Sequence, residues 1–171
     1  MDICYNEIVE KNCQTEETAT VKHTNDIFMR TEMLFGESAM EKLANSSVII
    51  FGIGGVGGNA AEAIVRSGIG SITLVDNDKV DITNINRQIF ATLDKVGKYK
   101  TEAAYERLKQ INPECNILLY NTFYLPDTSE NIDLSCYDYI VDAIDTVTGK
   151  IEIAVNGYKA GIPVILSLIH I

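Results

Sequence analysis

The residues that could do chemistry begin in "IIFGIGGVGG", where Gly52, Gly54, Gly55 and Gly57 follow a short apolar run and precede "NAAEA". Residues without Cβ let phosphate oxygens approach backbone N–H groups at the start of a helix, so this spacing points to phosphate binding. Gly52 is expected to make the turn, and Gly54, Gly55 and Gly57 to allow close approach. Asp76 follows about 20 residues later at the end of the next apolar run, the context that distinguishes a dinucleotide-type loop from a glycine turn of no special function. Its carboxylate is expected to hold ribose hydroxyls.

A hydride-transfer site would need little more, yet "LVDNDKVDITNINRQ" goes on to supply Asp78, Asn84, Arg87 and Gln88, with Lys100 shortly after. A nicotinamide cofactor keeps its pyrophosphate intact. Activation by ATP breaks the α–β phosphate bond, and the charge that develops calls for cations. Arg87 and Lys100 supply those, and Asn84 and Gln88 add neutral donors. Asp145 in "VDAIDTVTGK" falls just past another apolar run and could hold a Mg²⁺ that bridges phosphates, with Asp142 as its competitor.

These residues need a frame. The pattern predicts a helical segment from Asp26, with Met33, Leu34, Met40 and Leu43 on one face and Asn45 closing it. Strands and helices then alternate: strand Ser47–Phe51, helix Val56–Ser67, strand Ser71–Val75, helix Lys100–Gln110, strand Asn116–Tyr120, strand Tyr139–Ala143, helix Gly149–Lys159 and a last strand from Ile162. Alternation of this kind implies a Rossmann-like, doubly wound α/β fold. Its mainly parallel sheet carries helices on both faces and binds ligands beyond the carboxyl ends of the strands. Met1 to about Asn25 is polar, lacks an apolar period and reads as a flexible leader.

Composition sets the outer limits. The chain has 171 residues, 46% of them apolar, enough for one globular domain. Lys and Arg total 14 against 24 Asp and Glu, a net charge of -10, so no broad basic face for nucleic acid is expected. Bound nucleic acid would have to meet a local patch or a part of the protein outside this sequence. The absence of about 18 consecutive apolar residues argues against a membrane span, and "MDICYNEIVEKN" lacks the pattern of a secretory signal. The expected location is the cytoplasm. Cys4, Cys13, Cys115 and Cys136 form no C-x-x-C pair, so neither a zinc knuckle nor a redox motif is supported. Cys136 is expected to be a core thiol.

In this order, "GIGGVGG", "LVDNDKVDITNINRQ", Lys100 and "DAID" resemble the ubiquitin-activating (ThiF/MoeB) superfamily. Within it "RTEMLFGE", "TNINRQI", "INPEC" and "DAID" are most similar to the tRNA threonylcarbamoyladenosine dehydratases, from about Arg30 to Ile165. The resemblance implies ATP-dependent adenylation of a carboxylate on a homodimer, with ATP and Mg²⁺ as cofactors. By motif, Gly52, Gly54, Gly55 and Gly57 would line the phosphate loop, Asp76 would take the ribose, and Asn84, Arg87 and Lys100 the triphosphate. Asp145 would bind Mg²⁺, and Arg30 would reach the partner subunit's ATP. The implied substrate is tRNA carrying threonylcarbamoyladenosine, and a sulfur-transfer protein is a further candidate partner. Two other readings remain: adenylation of the C-terminus of a ubiquitin-like sulfur carrier, and an inactive nucleotide-binding fragment. The resemblance stops after "GIPVI", and "LSLIHI" matches the translation of a transposon-end sequencing adapter. Residues 26–165 are therefore expected to be the adenylation domain, Leu166–Ile171 a non-native tail, and the fold incomplete at its C-terminus.

Overall fold

The computed structural model describes residues 27–167. The polar leader and the last four residues of the expected tail lie outside them. Five strands form one parallel sheet: β1 (Ser47–Phe51), β2 (Ser71–Val75), β3 (Asn116–Tyr120), β4 (Tyr139–Asp142) and β5 (Val164–Leu166), in the order β3-β2-β1-β4-β5. Leu166, assigned to the tail from sequence, is the last residue of β5 and pairs with Asp142.

The chain winds outward from β1 to β3 and then returns to the other side of β1. That makes the β1–β4 boundary the point where strand order reverses, and a crevice opens there in folds of this type. The registers Phe51↔Val75, Val75↔Tyr120 and Phe51↔Asp142 align the strands' carboxyl ends. The residues that follow them share one rim.

β1 lies at the centre and its residues from Val48 to Phe51 are buried, which is why it reads as an unbroken apolar run and not as alternation. Val48 and Ile50 enter a core cluster with Ala61 and Val65 of α3 (Gly55–Arg66) and Ala104 and Leu108 of α4 (Lys100–Ile111). Ile49 and Phe51 enter a second cluster with Tyr124, Ile132, Leu134 and Ile153, the last from α5 (Val147–Ala160). Each fully buried Ile or Phe contributes about 1.5–3 kcal/mol, so the centre of the sheet is the rigid base for its rim. Cys115 belongs to the first cluster, and Cys136 packs half-buried against the second.

The N-terminal helical segment departs from expectation. It is two helices, α1 (Met29–Phe35) and α2 (Glu37–Ala44), separated by Gly36 at φ 83° and ψ 163°. The break ends the helical period, so the four apolar residues do not share one buried face. Leu43 packs against the first cluster, whereas Met33 and Leu34 are 73% and 80% exposed. Among the described residues no helix is long and apolar enough to cross a membrane.

Candidate nucleotide-binding cleft

A cleft of about 510 Å³ opens at the carboxyl ends of β1, β2, β3 and β4. Its floor is the turn after β1. Gly52 adopts φ 87°, and a Cβ there would stand 2.7 Å from the Ala143 carbonyl oxygen. A Cβ on Gly57 would stand 1.8 Å from the Gly52 oxygen, so the loop closes tightly on itself only because both residues are glycine. α3 begins directly at Gly55 and presents its first-turn N–H groups to the cleft, which also reaches Gly54 and Val56.

Asp76, one residue past β2, holds this loop from the side. Its Oδ2 accepts from the Ile53 N–H at 2.7 Å and its Oδ1 from the Asp78 N–H at 2.8 Å. Burial pushes the Asp76 carboxyl above its ordinary value, although both N–H groups and the Lys100 charge pull the other way. Each oxygen keeps lone-pair capacity beyond its backbone partner, so the carboxylate can still accept from hydroxyls in the cleft.

Lys100 is the first residue of α4, placed by its own N–H donating to the Asp78 carbonyl at 2.9 Å and by the Lys79–Tyr99 bridge. Although Lys100 is only 8% exposed, its Nζ lines the cleft region, 2.6 Å from Asp78 Oδ2 and 4.0 Å from Asp76 Oδ2. Asn84 ends a 3-10 turn over Ile82–Asn84, capped reciprocally by Asp81, and Arg87 follows it, its N–H donating to the Asn84 carbonyl at 3.1 Å. Asn84 Oδ1 accepts the Asp81 N–H at 3.0 Å, which leaves the amide N–H groups as its free function. Arg87 is exposed, and its Nη1 donates to the Thr83 carbonyl at 2.8 Å. Gln88 is buried on the cleft wall, and Phe90 and Ala91 beyond it anchor the segment in the first core cluster.

The two acidic candidates at the end of β4 and just past it separate cleanly. Asp142 is fully buried and its carboxylate receives Lys150 Nζ at 3.1 Å on both oxygens. Asp145 is exposed and lines the cleft. Among the described residues no group of three or more His, Cys, Asp or Glu could hold a metal alone. Mg²⁺ is commonly held by one or two carboxylates together with substrate phosphates, so Asp145 beside a phosphate loop fits that ion.

The structure thus brings together Gly52, Gly54, Gly55, Asp76, Asp78, Asn84, Arg87, Gln88, Lys100 and Asp145, with Gly57 beneath the loop. It does not bring Arg30 there. Arg30 is exposed on α1, and the preceding Phe28 packs near Gly68, at the amino end of β2 and away from the cleft. Sequence reasoning missed the wall formed by Thr122, Phe123, Tyr124 and Leu125, which follows β3. The one general signal was that the strands of a parallel sheet end at a shared rim, but which strand lies beside β2 is decided by the sheet order. Phe51 and Tyr124 brace that wall with ring centroids 4.6 Å apart. Burial raises the Cys115 thiol to about 11, which removes it as a nucleophile at neutral pH.

The chain also matches known proteins in sequence and in fold. The chain is 45% identical over 141 residues to the tRNA threonylcarbamoyladenosine dehydratase of Bacillus subtilis, covering 82% of this chain and 56% of that protein. It therefore spans about half the length of such relatives. Crystal structures of the Escherichia coli tRNA N6-threonylcarbamoyladenosine dehydratase also match. The complex with ATP does so at TM-score 0.78 and 43% identity, over 81% of this chain and 57% of that one. The complex with AMP matches at TM-score 0.83 and 40% identity, over 87% and 61%. The ThiF family model matches residues 28–169, and the chain, with its Rossmann-like sheet and glycine loop, belongs to the ThiF family.

Proposed function

We propose that residues 26–165 form an ATP-binding adenylation domain, and that the protein activates the carboxylate of threonylcarbamoyladenosine in tRNA. The observation that carries this reading is the meeting of Arg87 and Lys100 with the glycine loop and Asp76 in one cleft. Hydride transfer has no use for cations there. That similar proteins have been crystallised with ATP and with AMP supports the same choice.

In this mechanism the α3 N-terminus and glycine loop receive the phosphates while Asp76 accepts from the ribose hydroxyls. Asn84, Arg87 and Lys100 hold the triphosphate, and Asp145 would hold Mg²⁺, which supplies charge neutralisation at the phosphates. A substrate carboxylate oxygen bonds to the α-phosphorus, and the bond to the β-phosphate oxygen breaks, releasing pyrophosphate. A nucleophilic atom of the adjacent carbamoyl unit then bonds to the activated carbonyl carbon. AMP leaves with the bonding pair, and the ring closes with net loss of water. The two groups already share one nucleoside, so proximity provides much of the rate and no protein nucleophile is needed. Arg30 does not line its own cleft, so its part in such a reaction is in a partner subunit's site, which makes the working unit a homodimer. The cytoplasm is the compartment this chemistry fits.

The test is mass spectrometry of purified protein with ATP and either tRNA bearing the modification or a small ubiquitin-like sulfur carrier. AMP is expected with the tRNA alone. AMP formed with the carrier would instead assign a sulfur-carrier adenylyltransferase, and saturable NADH binding would restore the dehydrogenase reading.

A further inference from the structure

We propose that Lys150 is a positioning residue for the Asp145 carboxylate and acts through Asp142. This rests on the reading of Asp145 as the Mg²⁺ ligand of the cleft. Asp142 ends β4 with no exposure, yet it carries a carboxylate that the chemistry above does not use. Lys150 Nζ lies 3.1 Å from each of its oxygens, and Oδ1 also accepts the Ile144 N–H at 3.1 Å. Lys150 belongs to the first turn of α5, its N–H bonded to the Thr146 carbonyl at 3.0 Å. One ammonium therefore joins the end of β4 to the start of α5.

Between those fixed ends runs Ala143–Thr146, the stretch that forms the cleft's rim. Ala143 packs against Gly52, and its N–H donates to the Phe51 carbonyl at 2.8 Å. Asp145 itself is held only loosely, by a 3.5 Å contact from Thr146 Oγ1. Its direction is inherited from the ends of its turn. A buried ion pair is often no more stabilising than an apolar pair of similar volume, so stability alone is a weak reason for one here. A fixed orientation for a metal-binding carboxylate is a stronger reason, since groups that orient such ligands commonly change metal affinity by about 10–100-fold.

The test compares ATP affinity with and without Mg²⁺ by titration calorimetry, together with Mn²⁺ binding by electron paramagnetic resonance. Wild type is set against Lys150→Arg and against Lys150→Met combined with Asp142→Asn. Lys150→Met alone strands a buried carboxylate and is expected to unfold, whereas the double variant leaves no charge buried and keeps the acceptor for the Ile144 N–H. The double variant is expected to keep wild-type thermal unfolding and metal-free ATP affinity. Its gain in ATP affinity on adding Mg²⁺ should shrink by roughly tenfold, with Mn²⁺ affinity falling in parallel. Lys150→Arg should retain most of that gain. An undiminished Mg²⁺ gain in the double variant overturns the proposal, and so does a loss that appears equally without metal. If wild-type protein binds ATP no better with Mg²⁺, the assignment of Asp145 fails first and the proposal falls with it.

Discussion

Lys100 shows most directly how single residues serve this site. Its ammonium is paired with Asp78, 2.6 Å away, while Asp76 sits 4.0 Å off. Triphosphate oxygens would compete with those carboxylates for it, so much of its interaction energy is held for the moment when charge builds on the α-phosphorus. Interactions that strengthen only there raise turnover more than they raise binding. Arg87→Ala and Lys100→Ala are each expected to lower kcat for AMP formation by roughly 10²-fold and to weaken ATP binding by much less. Steady-state kinetics beside direct ATP titration checks this. Full turnover in both variants would remove the phosphate-clamp assignment.

At the scale of elements, the cleft depends on α3 and α4 staying in register beneath the rim, and one carboxylate joins them. Glu62 of α3 meets Arg66 one turn on at 2.6 Å and Arg107 of α4 at 3.4 Å. Burial works to raise the Glu62 pKa, but hydrogen bonds and charge from Arg66 and Arg107 outweigh it and hold the group below the ordinary 4.5. The sign follows from proton linkage. Just below 4.5 the unfolded chain binds more protons at this site than the folded one, so stability from Glu62 is complete above that value. It is lost as pH falls through the lower folded-state pKa. Both arginines are about half exposed, which limits the contribution to about 1 kcal/mol. Glu62→Gln is therefore expected to cost about that much at neutral pH and progressively less in acid, as read by denaturant unfolding at several pH values. A cost that stays constant down to the acid end would show that Glu62 acts through packing and not charge.

For the whole molecule, the placement of Arg30 away from its own cleft has a consequence that subunit mixing can read. Mixed dimers of Arg30→Ala and Lys100→Ala subunits would each contain one cleft with an intact Lys100 served by an intact partner Arg30. With random assortment, half the dimers are mixed and half of their sites are whole, so roughly a quarter of wild-type turnover should return. Each variant alone should stay near background. No recovery after co-refolding, with dimers confirmed by light scattering, would sink the trans role. The exposed Met33 and Leu34 of α1 lie on the same helix as Arg30 and offer the apolar surface such a contact would bury.

What the sequence determined by itself was the local chemistry and the kind of frame. Apolar runs identified the strands Ser47–Phe51 and Ser71–Val75, which are buried because a strand covered on both faces has no polar face to interrupt it, and the edge strand Asn116–Tyr120 beside them. Glycine spacing before Asp76 identified the loop, since only residues without Cβ allow Gly52 and Gly57 to approach so closely. Tertiary structure decided which of these groups are free to act. Asp142 and Asp145 are the same residue type three positions apart, and sequence left both open for a cation. Only strand pairing and the position of Lys150 bury the first and leave the second at the rim. The wall from Thr122 to Leu125 likewise carries no local signature, because its place in the cleft comes from β3 lying beside β2 and not from its own residues. The α1–α2 break was missed because apolar spacing continues across Gly36, and a single positive φ outweighs it.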